Sequence, residues 1–492
     1  MRTRSFAAAL LALVATAAVA QNPAADADRA AMMRALGITA LIPGANGDPK
    51  APDAANTDEA AANPYSLPDP LRTADGRPVR TAAQWREVQR PAIAAIYERE
   101  VYGRVPAGLP PVRWRVDASD AETIGFGRAV IARRLIGEVA DPRPHMPPVR
   151  LRMLVVLPAR AAAKVPVLMM FGPAAFPAPS QPTADESERI DAALKALLSE
   201  RDPALKPIFD RHQAHMLGGP AAPRRFDPTP SVPEQIIAAG WGYAMIDPLS
   251  AQADDGSGLR SGIIGLANGG APRRPDHWGA LRAWAWAASR GFDWLATDPA
   301  VDATRIGIEG VSRYGKAALV TMAFDPRFAV ALLGSSGKGG TTPLRRHFGE
   351  EVGNLATGEY HWMAGNFLKY DTKGMSPPQL DASALPVDAN GLIALCAPRP
   401  VYVSYGIPAA GDAPWLDQRG SWMATVDASR VYRLLGASGV ADGDYRNMPM
   451  PAVLEARDAG ELAWRQHDGG HTDAPNIPHF LTWADRVLKR VR

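Results

Sequence analysis

Short apolar runs rich in β-branched residues alternate with stretches of helical periodicity along most of the chain. The runs have the length of buried strands, and in the stretches between them apolar residues recur at helical spacing. Strands that alternate with helices form a mostly parallel sheet with helices on both faces, so an α/β three-layer sandwich is predicted. The predicted strands are Leu151–Leu157, Val165–Phe171, Tyr243–Asp247, Arg305–Gly310, Ala329–Gly334 and Pro400–Tyr405, and the predicted helices include Trp278–Leu295 and Lys316–Phe324.

The first 66 residues lack this pattern and divide into two parts. Residues 1–20 combine a positively charged start, an apolar stretch from Phe6 to Val19 and a small-residue cleavage site, which is typical of a secretory signal peptide. The apolar stretch is shorter than the roughly 20 residues of a membrane span, which favours export with cleavage over a membrane anchor. Residues 21–66 are rich in Ala, Asp, Asn and Pro, which predicts a low-complexity strap or linker. Organised structure is predicted to begin near Trp85.

The remainder of the chain, residues 67–492, predicts one domain. No internal repeat is visible, and no later segment has the length and apolar character of a membrane span. Residues 181–232 are charged at first and then Pro-rich, with no strand signal, and they predict an insertion over one edge of the sheet. The mature protein is therefore expected to be soluble, with no membrane contact once the signal is removed.

Composition and charge narrow the class of protein. Hydrophobic residues make up 47% and charged residues 21% of the 492 residues, as in ordinary globular proteins. The 54 Lys and Arg against 51 Asp and Glu are too balanced for an electrostatic nucleic-acid binder, so no nucleic-acid partner is expected. The single cysteine, Cys396, excludes an internal disulfide, which fits a bacterial periplasmic or secreted protein.

The candidate nucleophile, Ser312, lies in the segment Arg305-Ile-Gly-Ile-Glu-Gly-Val-Ser-Arg-Tyr-Gly-Lys316. A strand ends at Gly310 and an Ala-rich helix follows within about five residues, so Ser312 lies on a sharp turn between them. Such a turn lifts a hydroxyl above the sheet at the positive end of the helix, where a developing oxyanion is favoured. The alternative is an ordinary helix-capping serine. The second glycine of the Gly-x-Ser-x-Gly pattern is displaced by one position, to Gly315, so the generic hydrolase pattern fails.

The displaced pattern, Gly-x-Ser-Arg-x-Gly-Lys from Gly310 to Lys316, resembles the signature of the glucuronoyl esterases, carbohydrate esterase family 15. The resemblance covers the chain from about residue 65 to the end and implies an α/β-hydrolase fold. Further landmarks resemble those of the family in the same order: Tyr102-Gly-Arg-Val-Pro106, Trp278-Gly-Ala, Trp284-Ala-Trp286, Asp298-Pro-Ala-Val-Asp302, Ser336-Gly337, Gly339-Gly340, Arg345-Arg346 and Ala397-Pro-Arg-Pro400.

A nucleophilic serine needs a base, and the base needs an acid that orients it. In α/β-hydrolases the acid and then the histidine follow the nucleophile. Near the C-terminus, Gln466-His-Asp-Gly-Gly-His471 follows the run Glu461–Arg465, which predicts the last strand. His471 matches the position of the family's histidine and is the predicted base. His467 is the competitor, with a surface or core role at the strand end as the alternative.

The position of the acidic residue that orients the histidine differs from its position in part of the family. Many members carry Glu just before the Ser-Gly pair, where this chain has Ser335, and Lys338 makes that side less suited to an acid. Other bacterial members place the acid after the next strand, where the loop 406–415 contains Asp412. Asp412 is therefore the predicted acid, although the loop is one residue longer than the family pattern. Asp417 is the alternative, unless it only caps the following helix.

The resemblance also implies four substrate-contacting residues. Arg313 adds a charged donor to the oxyanion hole, and Lys316, one helical turn after Ser312, donates to the hydroxyls of a glucuronic acid ring. Glu350 accepts from those hydroxyls, with Glu351 adjacent, and Trp415 lies against the sugar.

The resemblance implies a serine esterase that cleaves esters of 4-O-methyl-glucuronic acid, as in glucuronoxylan–lignin cross-links, through an acyl-enzyme. Two alternatives are a hydrolase of the same fold acting on acetylated xylan or another carbohydrate ester, and a uronic-acid-binding protein without turnover. No cluster has metal-ligand spacing and no nucleotide-binding glycine motif follows a strand, so no metal and no cofactor are predicted. A monomer is expected.

Overall fold

The computed structural model describes residues 23–124, 128–140, 146–177, 184–211 and 230–490. The predicted signal peptide, residues 1–20, lies outside these ranges, as does part of the predicted insertion. Among the described residues, no helix has the combination of length and apolarity that crossing a membrane requires.

A ten-stranded sheet organises the described chain, in the order β1-β2-β3-β5-β4-β6-β7-β8-β10-β9. The pairs from β5 through β4, β6, β7 and β8 to β10 are parallel, and the pairs at either end of the sheet are antiparallel. The parallel centre matches the expectation from the sequence. The strands are β1 Arg113–Ile124, β2 Arg128–Val139, β3 Val149–Pro158, β4 Val165–Phe171, β5 Gly242–Ile246, β6 Val301–Val311, β7 Val330–Gly334, β8 Val401–Tyr405, β9 Ala456–Arg457 and β10 Leu462–Gln466.

Helices cover both faces of this sheet, because successive side chains of a buried strand point to opposite sides. In β4, Val167 and Met169 belong to one hydrophobic core, whereas Leu168 and Met170 belong to the other. The larger core contains side chains of α9, α10, α12 and α13, and the smaller contains those of α6 and α14. The helices of the described residues are α1 Pro23–Leu36, α2 Ala82–Gln84, α3 Arg90–Glu100, α4 Ala184–Arg201, α5 Lys206–Phe209, α6 Val232–Ala238, α7 Pro248–Ala251, α8 Gly262–Asn268, α9 Ala280–Leu295, α10 Arg313–Phe324, α11 Val352–Thr357, α12 Ala389–Cys396, α13 Gln418–Leu434 and α14 Ile477–Arg490.

Two regions differ from the sequence prediction. Strands β1 and β2 were not predicted, because they form an antiparallel edge of the sheet without an apolar run. The described side chains of β1 are mostly exposed, and in β2 buried side chains alternate with partly exposed ones. Organised structure also begins well before Trp85, with α1. Met32 of that helix is buried in the larger core, and so is Ile38 just after it. The segment 21–66 therefore contributes core residues, which the prediction of a strap or linker did not foresee.

The carboxyl ends of the central strands define one edge of the sheet, where loops leave toward helices on both faces. Ser312 follows β6, Ser335 follows β7, Asp412 follows β8 and His471 follows β10. Because β6, β7, β8 and β10 are neighbours and parallel, these four residues start from the same edge. The predicted insertion separates β4 from β5 and contains α4 and α5 within its described part.

Candidate active site

Ser312 occupies a strained turn between β6 and α10. Its backbone has φ 61° and ψ −129°, a conformation that is rare for a residue with a side chain. A Cβ on Gly310 would overlap the carbonyl oxygen of Tyr314, so the tight turn requires glycine there. The sharp turn predicted from the sequence is thus present, and Ser312 stands directly before the first residue of α10.

His471 and Asp412 meet at the edge of the sheet. Nδ1 of His471 lies 2.7 Å from Oδ1 of Asp412. The Asp412 side chain is fully buried, whereas 37% of the His471 side chain is exposed. The two loops approach closely at Gly406, where a Cβ would overlap the carbonyl oxygens of Gly469 and Gly470. A buried carboxylate therefore holds one side of a partly accessible imidazole.

The second oxygen of Asp412 is held by its own donors. The hydroxyl of Ser335 donates to Oδ2 over 2.9 Å, and the backbone N–H of Gly406 donates to the same oxygen over 3.0 Å. The side-chain amide of Gln418 lies 3.5 Å from it. These three donors hold the Asp412 carboxyl in one orientation beside His471.

The loop that carries His471 also lies against the turn that carries Ser312. The backbone N–H of Ser312 donates to the carbonyl of Gly334 over 2.8 Å. A Cβ built on Gly334 would lie 3.4 Å from Cβ of Asp473, two positions after His471. No hydrogen bond joins the Ser312 hydroxyl to His471, and within the described residues neither that hydroxyl nor Nε2 of His471 has another hydrogen-bond partner.

Asp417 and His467, the alternative acid and base, make contacts that stabilise the fold. Asp417 accepts from Nε of Arg346 over 3.0 Å and from the N–H of Gly420 over 2.8 Å, which caps α13. Nε2 of His467 lies 2.7 Å from the carbonyl oxygen of Thr472, and its Nδ1 accepts from the N–H of Gly469. Burial lowers the pKa of His467 below its ordinary value. Neither residue meets the other or His471 in a hydrogen bond among the described residues.

Arg313 is held by a cluster that sequence reasoning missed. Nη1 of Arg313 lies 2.6 Å from Oδ2 of Asp254. The other oxygen of Asp254 accepts from Nε1 of Trp362 over 2.6 Å and lies 3.0 Å from Nε2 of His361. Burial alone would raise the pKa of Asp254. The hydrogen bonds and the charge of Arg313 outweigh burial and lower this pKa to about 2. Asp254 lies 59 positions before Arg313 in an ordinary turn sequence, so no sequence signal marks it.

Lys316, Glu350 and Trp415 are joined by direct contacts. The ammonium of Lys316, which is 2% exposed, lies 3.8 Å from Oε2 of Glu350. The same oxygen of Glu350 accepts from the N–H of Lys338 over 3.1 Å. The backbone N–H of Glu350 donates to the carbonyl of Trp415 over 2.9 Å, which joins the two loops.

The neighbouring Glu351 instead caps α11. Its backbone N–H donates to Oδ1 of Asn354 over 2.8 Å, its carbonyl accepts from the N–H of Asn354 over 3.1 Å, and burial raises the pKa of its side chain. Of the two adjacent glutamates, only Glu350 has a side chain within 4 Å of the Lys316 ammonium. Within the described ranges, no group of three or more His, Cys, Asp or Glu side chains is placed to hold a metal ion.

The sequence of the chain is similar to those of known esterases. A family model described as "Glucuronyl esterase, fungi" matches residues 274–436, which include Ser312, Glu350 and Asp412. Carbohydrate esterase MZ0003, from an unknown prokaryotic organism, is 31% identical over 445 residues, which are 88% of this chain and 92% of that protein. The 4-O-methyl-glucuronoyl methylesterase of Podospora anserina is 34% identical over 169 residues, about a third of each chain.

Solved structures extend the similarity to the whole fold. A glucuronoyl esterase of carbohydrate esterase family 15 from Teredinibacter turnerae is 41% identical, with a TM-score of 0.76, and covers 94% of this chain and 99% of its own. A glucuronoyl esterase from Solibacter usitatus is 30% identical, with a TM-score of 0.67 over 87% of this chain and 99% of its own.

Proposed function

Since the chain belongs to carbohydrate esterase family 15 and is an esterase with the α/β-hydrolase fold, we propose that it hydrolyses esters of 4-O-methyl-glucuronic acid by a serine mechanism. The observation that carries the proposal is the 2.7 Å contact between His471 and the buried Asp412, at the sheet edge where Ser312 occupies its strained turn. The proposed substrate is a glucuronoxylan–lignin ester, and the proposed catalytic domain comprises residues 67–492.

The first step forms an acyl-enzyme. Nε2 of His471 accepts the proton of the Ser312 hydroxyl as Oγ attacks the ester carbonyl carbon. Asp412 holds the imidazole through Nδ1–H and stabilises the imidazolium that forms. The carbonyl oxygen becomes an oxyanion at the N-terminal end of α10, beside the N–H groups of that turn. When the ester C–O bond breaks, the alcohol leaves with the proton from His471.

The second step releases the sugar acid. His471 accepts a proton from water, and the resulting hydroxide attacks the acyl carbon. The bond to Oγ of Ser312 breaks, Oγ recovers the proton from His471, and the uronic acid leaves and releases its own carboxyl proton to the solvent.

Arg313 supplies charge to the oxyanion. Its contact with Asp254 engages one guanidinium nitrogen, and a guanidinium has five N–H donors in a fixed planar arrangement. Asp254 thus orients Arg313 while other donors stay available for the oxyanion. Removal of one such donor typically lowers the rate by about 10²–10³-fold.

Lys316, Glu350 and Trp415 support a uronic acid ring as the acyl group. A buried ammonium is stable only beside opposite charge or hydrogen-bond acceptors, and Lys316 has Glu350 at 3.8 Å. An ammonium donates, a carboxylate accepts, and both complement sugar hydroxyls. The half-exposed Trp415 supplies an apolar face beside them.

Release of benzyl alcohol from benzyl glucuronate tests the proposal. Wild type should turn over this ester, and Ser312→Ala should reduce kcat by at least about 10⁴-fold because the nucleophile is lost. Acetylated xylan is the comparison substrate. Turnover of acetylated xylan without turnover of benzyl glucuronate would indicate an esterase that acts on a different carbohydrate ester. Binding of glucuronate without any turnover would indicate a binding protein.

Lys316→Met provides the matched test of uronate recognition. The substitution keeps an unbranched side chain that is one atom shorter and removes the charge. It should raise KM for benzyl glucuronate by about tenfold, which corresponds to one charged hydrogen bond, and leave hydrolysis of a simple acetyl ester unchanged. An equal effect on both esters would contradict a role in binding the sugar.

A further inference from the structure

Two buried acidic side chains, Glu309 and Asp473, have no role in the proposed mechanism, although each lies close in sequence to a residue that does. Glu309 belongs to β6, three positions before Ser312, and Asp473 follows His471 by two positions. Only 6% of Glu309 and 4% of Asp473 is exposed. A contact between them would therefore join the strand of the nucleophile to the loop of the base.

The two side chains reach each other on the face of the sheet that the smaller core covers. Glu309 is paired with Met170 of β4 and Leu332 of β7, and both of these belong to that core. Asp473 lies just before α14, whose buried side chains belong to the same core. Its Cβ lies close to Gly334, where an added Cβ would be 3.4 Å away. The side chains of Glu309 and Asp473 are hydrogen-bonded to each other.

A hydrogen bond between two carboxyl groups requires a proton on one of them, because a carboxylate only accepts. Within the described residues, Oδ2 of Asp473 has no amide, hydroxyl or cation as a donor. The one other titratable group that acts on the pair in this part of the chain is His467. Burial lowers the pKa of His467, and Nδ1 of its ring accepts from the N–H of Gly469, so the ring is neutral. Without a cation beside them, two buried negative charges are unfavourable, and the pair keeps a proton.

This proton belongs to the folded state. Burial, the charge of Asp473 and the hydrogen bond between the two groups raise the pKa of Glu309 well above its ordinary value. Burial also raises the pKa of Asp473, although the hydrogen bond from Glu309 and the nearby His467 oppose this shift. In the unfolded chain both carboxyls lose their protons at about pH 4. The stability that the proton contributes at low pH is therefore lost as the pH rises toward the folded-state pKa of Glu309.

We propose that Glu309 and Asp473 are positioning residues, whose shared proton holds the loop of His471 against β6 and so keeps the imidazole oriented toward Ser312. The proposal rests on the proposed function, since it concerns the attack by Ser312. Only one residue separates Asp473 from His471 along the chain, so a displacement of Asp473 moves the base. The carbonyl of Asp473 also accepts from the N–H of Asn476 over 2.7 Å, which ties the loop to the start of the last helix.

Substitutions of Glu309 separate the hydrogen bond from the charge. Glu309→Gln keeps a donor to Asp473 without a titratable proton, and kcat for benzyl glucuronate should stay within about threefold of wild type. Glu309→Leu leaves Asp473 without a donor. Its kcat should fall by about 10²-fold with KM unchanged, since a misplacement of about 1 Å at a reacting group has an effect of this size.

Two further variants test the same contact from outside β6. Asp473→Ala removes the pair from the loop side and should give the same loss of kcat as Glu309→Leu. Leu332→Ala is the matched control, because Leu332 is fully buried in β7 opposite Glu309. The cavity that it creates should lower the melting temperature, while kcat stays at the wild-type value.

Melting temperatures from pH 5 to pH 8 test the shared proton without any substrate. As the pH rises, Glu309→Gln should become more stable relative to wild type, because only the wild type holds a proton that its unfolded chain has released. The difference in melting temperature should grow by at least about 2 °C over this range.

The outcomes separate the two proposals. An unchanged kcat in Glu309→Leu, or an equal loss in Glu309→Gln or Leu332→Ala, would overturn the positioning role and leave the proposed function intact. A difference in melting temperature that is constant with pH would overturn the shared proton. Wild-type protein that turns over neither benzyl glucuronate nor a simple acetyl ester would overturn the proposed function, and the positioning role with it.

Discussion

Nδ1 of His471 lies 2.7 Å from Oδ1 of Asp412, while Asp417, five positions further along the chain, lies 3.0 Å from Nε of Arg346. Two aspartates of one loop region are thus buried for different reasons. One orients a partly exposed imidazole at the sheet edge, and the other neutralises a buried guanidinium and caps α13. This difference leads to opposite expectations for the two residues.

Asp412→Asn should reduce kcat for benzyl glucuronate by about 10³–10⁴-fold, since an amide cannot stabilise the imidazolium and can favour the wrong tautomer of His471. The Asp412→Asn variant should still fold. Steady-state kinetics together with a thermal unfolding curve check both statements.

Asp417→Asn should lower the free energy of unfolding by about 1.5 kcal/mol, because Arg346 loses one of its two carboxylate partners and keeps Glu59. The kcat of the folded fraction should stay within about threefold of wild type. The proposed acid is wrong if Asp417→Asn abolishes turnover and Asp412→Asn does not.

Ser335→Ala should reduce kcat by about tenfold with KM unchanged, because the hydroxyl that holds Oδ2 of Asp412 is lost. Ser335 has φ 40°, in the left-handed region, so Ser335→Gly relieves strain and also lacks the hydroxyl. If the hydroxyl acts by positioning Asp412, the alanine and glycine variants lose the same activity although they differ in stability.

Ser336→Ala is the neighbouring control for this experiment. The Ser336 hydroxyl lies 2.8 Å from Oγ1 of Thr341 and makes no contact with Asp412. An equal loss of kcat in Ser336→Ala would assign the effect to the packing of the loop.

Arg313→Ala should reduce kcat by about 10²–10³-fold, as removal of an oxyanion donor does. Asp254→Asn should reduce kcat by about tenfold, because Arg313 loses its charged partner and keeps its own charge. Since the pKa of Asp254 is about 2, the effect of Asp254→Asn should be the same from pH 5 to pH 9. Arg115→Ala, an exposed residue of β1 at the far edge of the sheet, should have no effect.

Asp371→Asn should stabilise the protein in neutral and alkaline solution. The Asp371 side chain is buried and its Oδ2 has no hydrogen-bond partner among the described residues, and burial raises its pKa to about 8. The unfolded chain loses this proton near pH 4 and the folded chain keeps it to about pH 8, so the stability that it contributes at low pH is lost as the pH rises.

The difference in stability between Asp371→Asn and wild type should therefore grow from pH 4 to pH 8, by up to about 1.4 kcal/mol per pH unit, and then level off. Melting temperatures across this range measure it. A difference that is constant with pH would show that Asp371 is ionised in the folded protein. The backbone carbonyl of Asp371 accepts from Ile42, so the same residue anchors the N-terminal segment.

The position of Ser312 could be predicted from the strand and helix that flank it, whereas His471 and Asp412 were predicted from the resemblance to the family. The β-branched runs form the buried parallel strands. The displaced glycine is needed at 315 because a Cβ there would lie only 2.7 Å from the carbonyl oxygen of Gly334. The edge strands β1 and β2 gave no such signal, because one side of an antiparallel edge is solvated. Helix α1 was missed for a related reason, since its sequence is only weakly amphipathic and few of its described side chains are buried.

Taken alone, the amino-acid sequence determined the α/β architecture, the family and the serine on its turn, since each of these is written in the spacing of neighbouring residues. The tertiary structure decided which aspartate meets His471, that Ser335 holds that aspartate, and that Asp254 pairs with Arg313. These contacts join residues far apart along the chain, and their burial and charge depend on loops that meet only when the sheet has formed. Hydrogen bonds and desolvation act across space, so no local pattern could assign them.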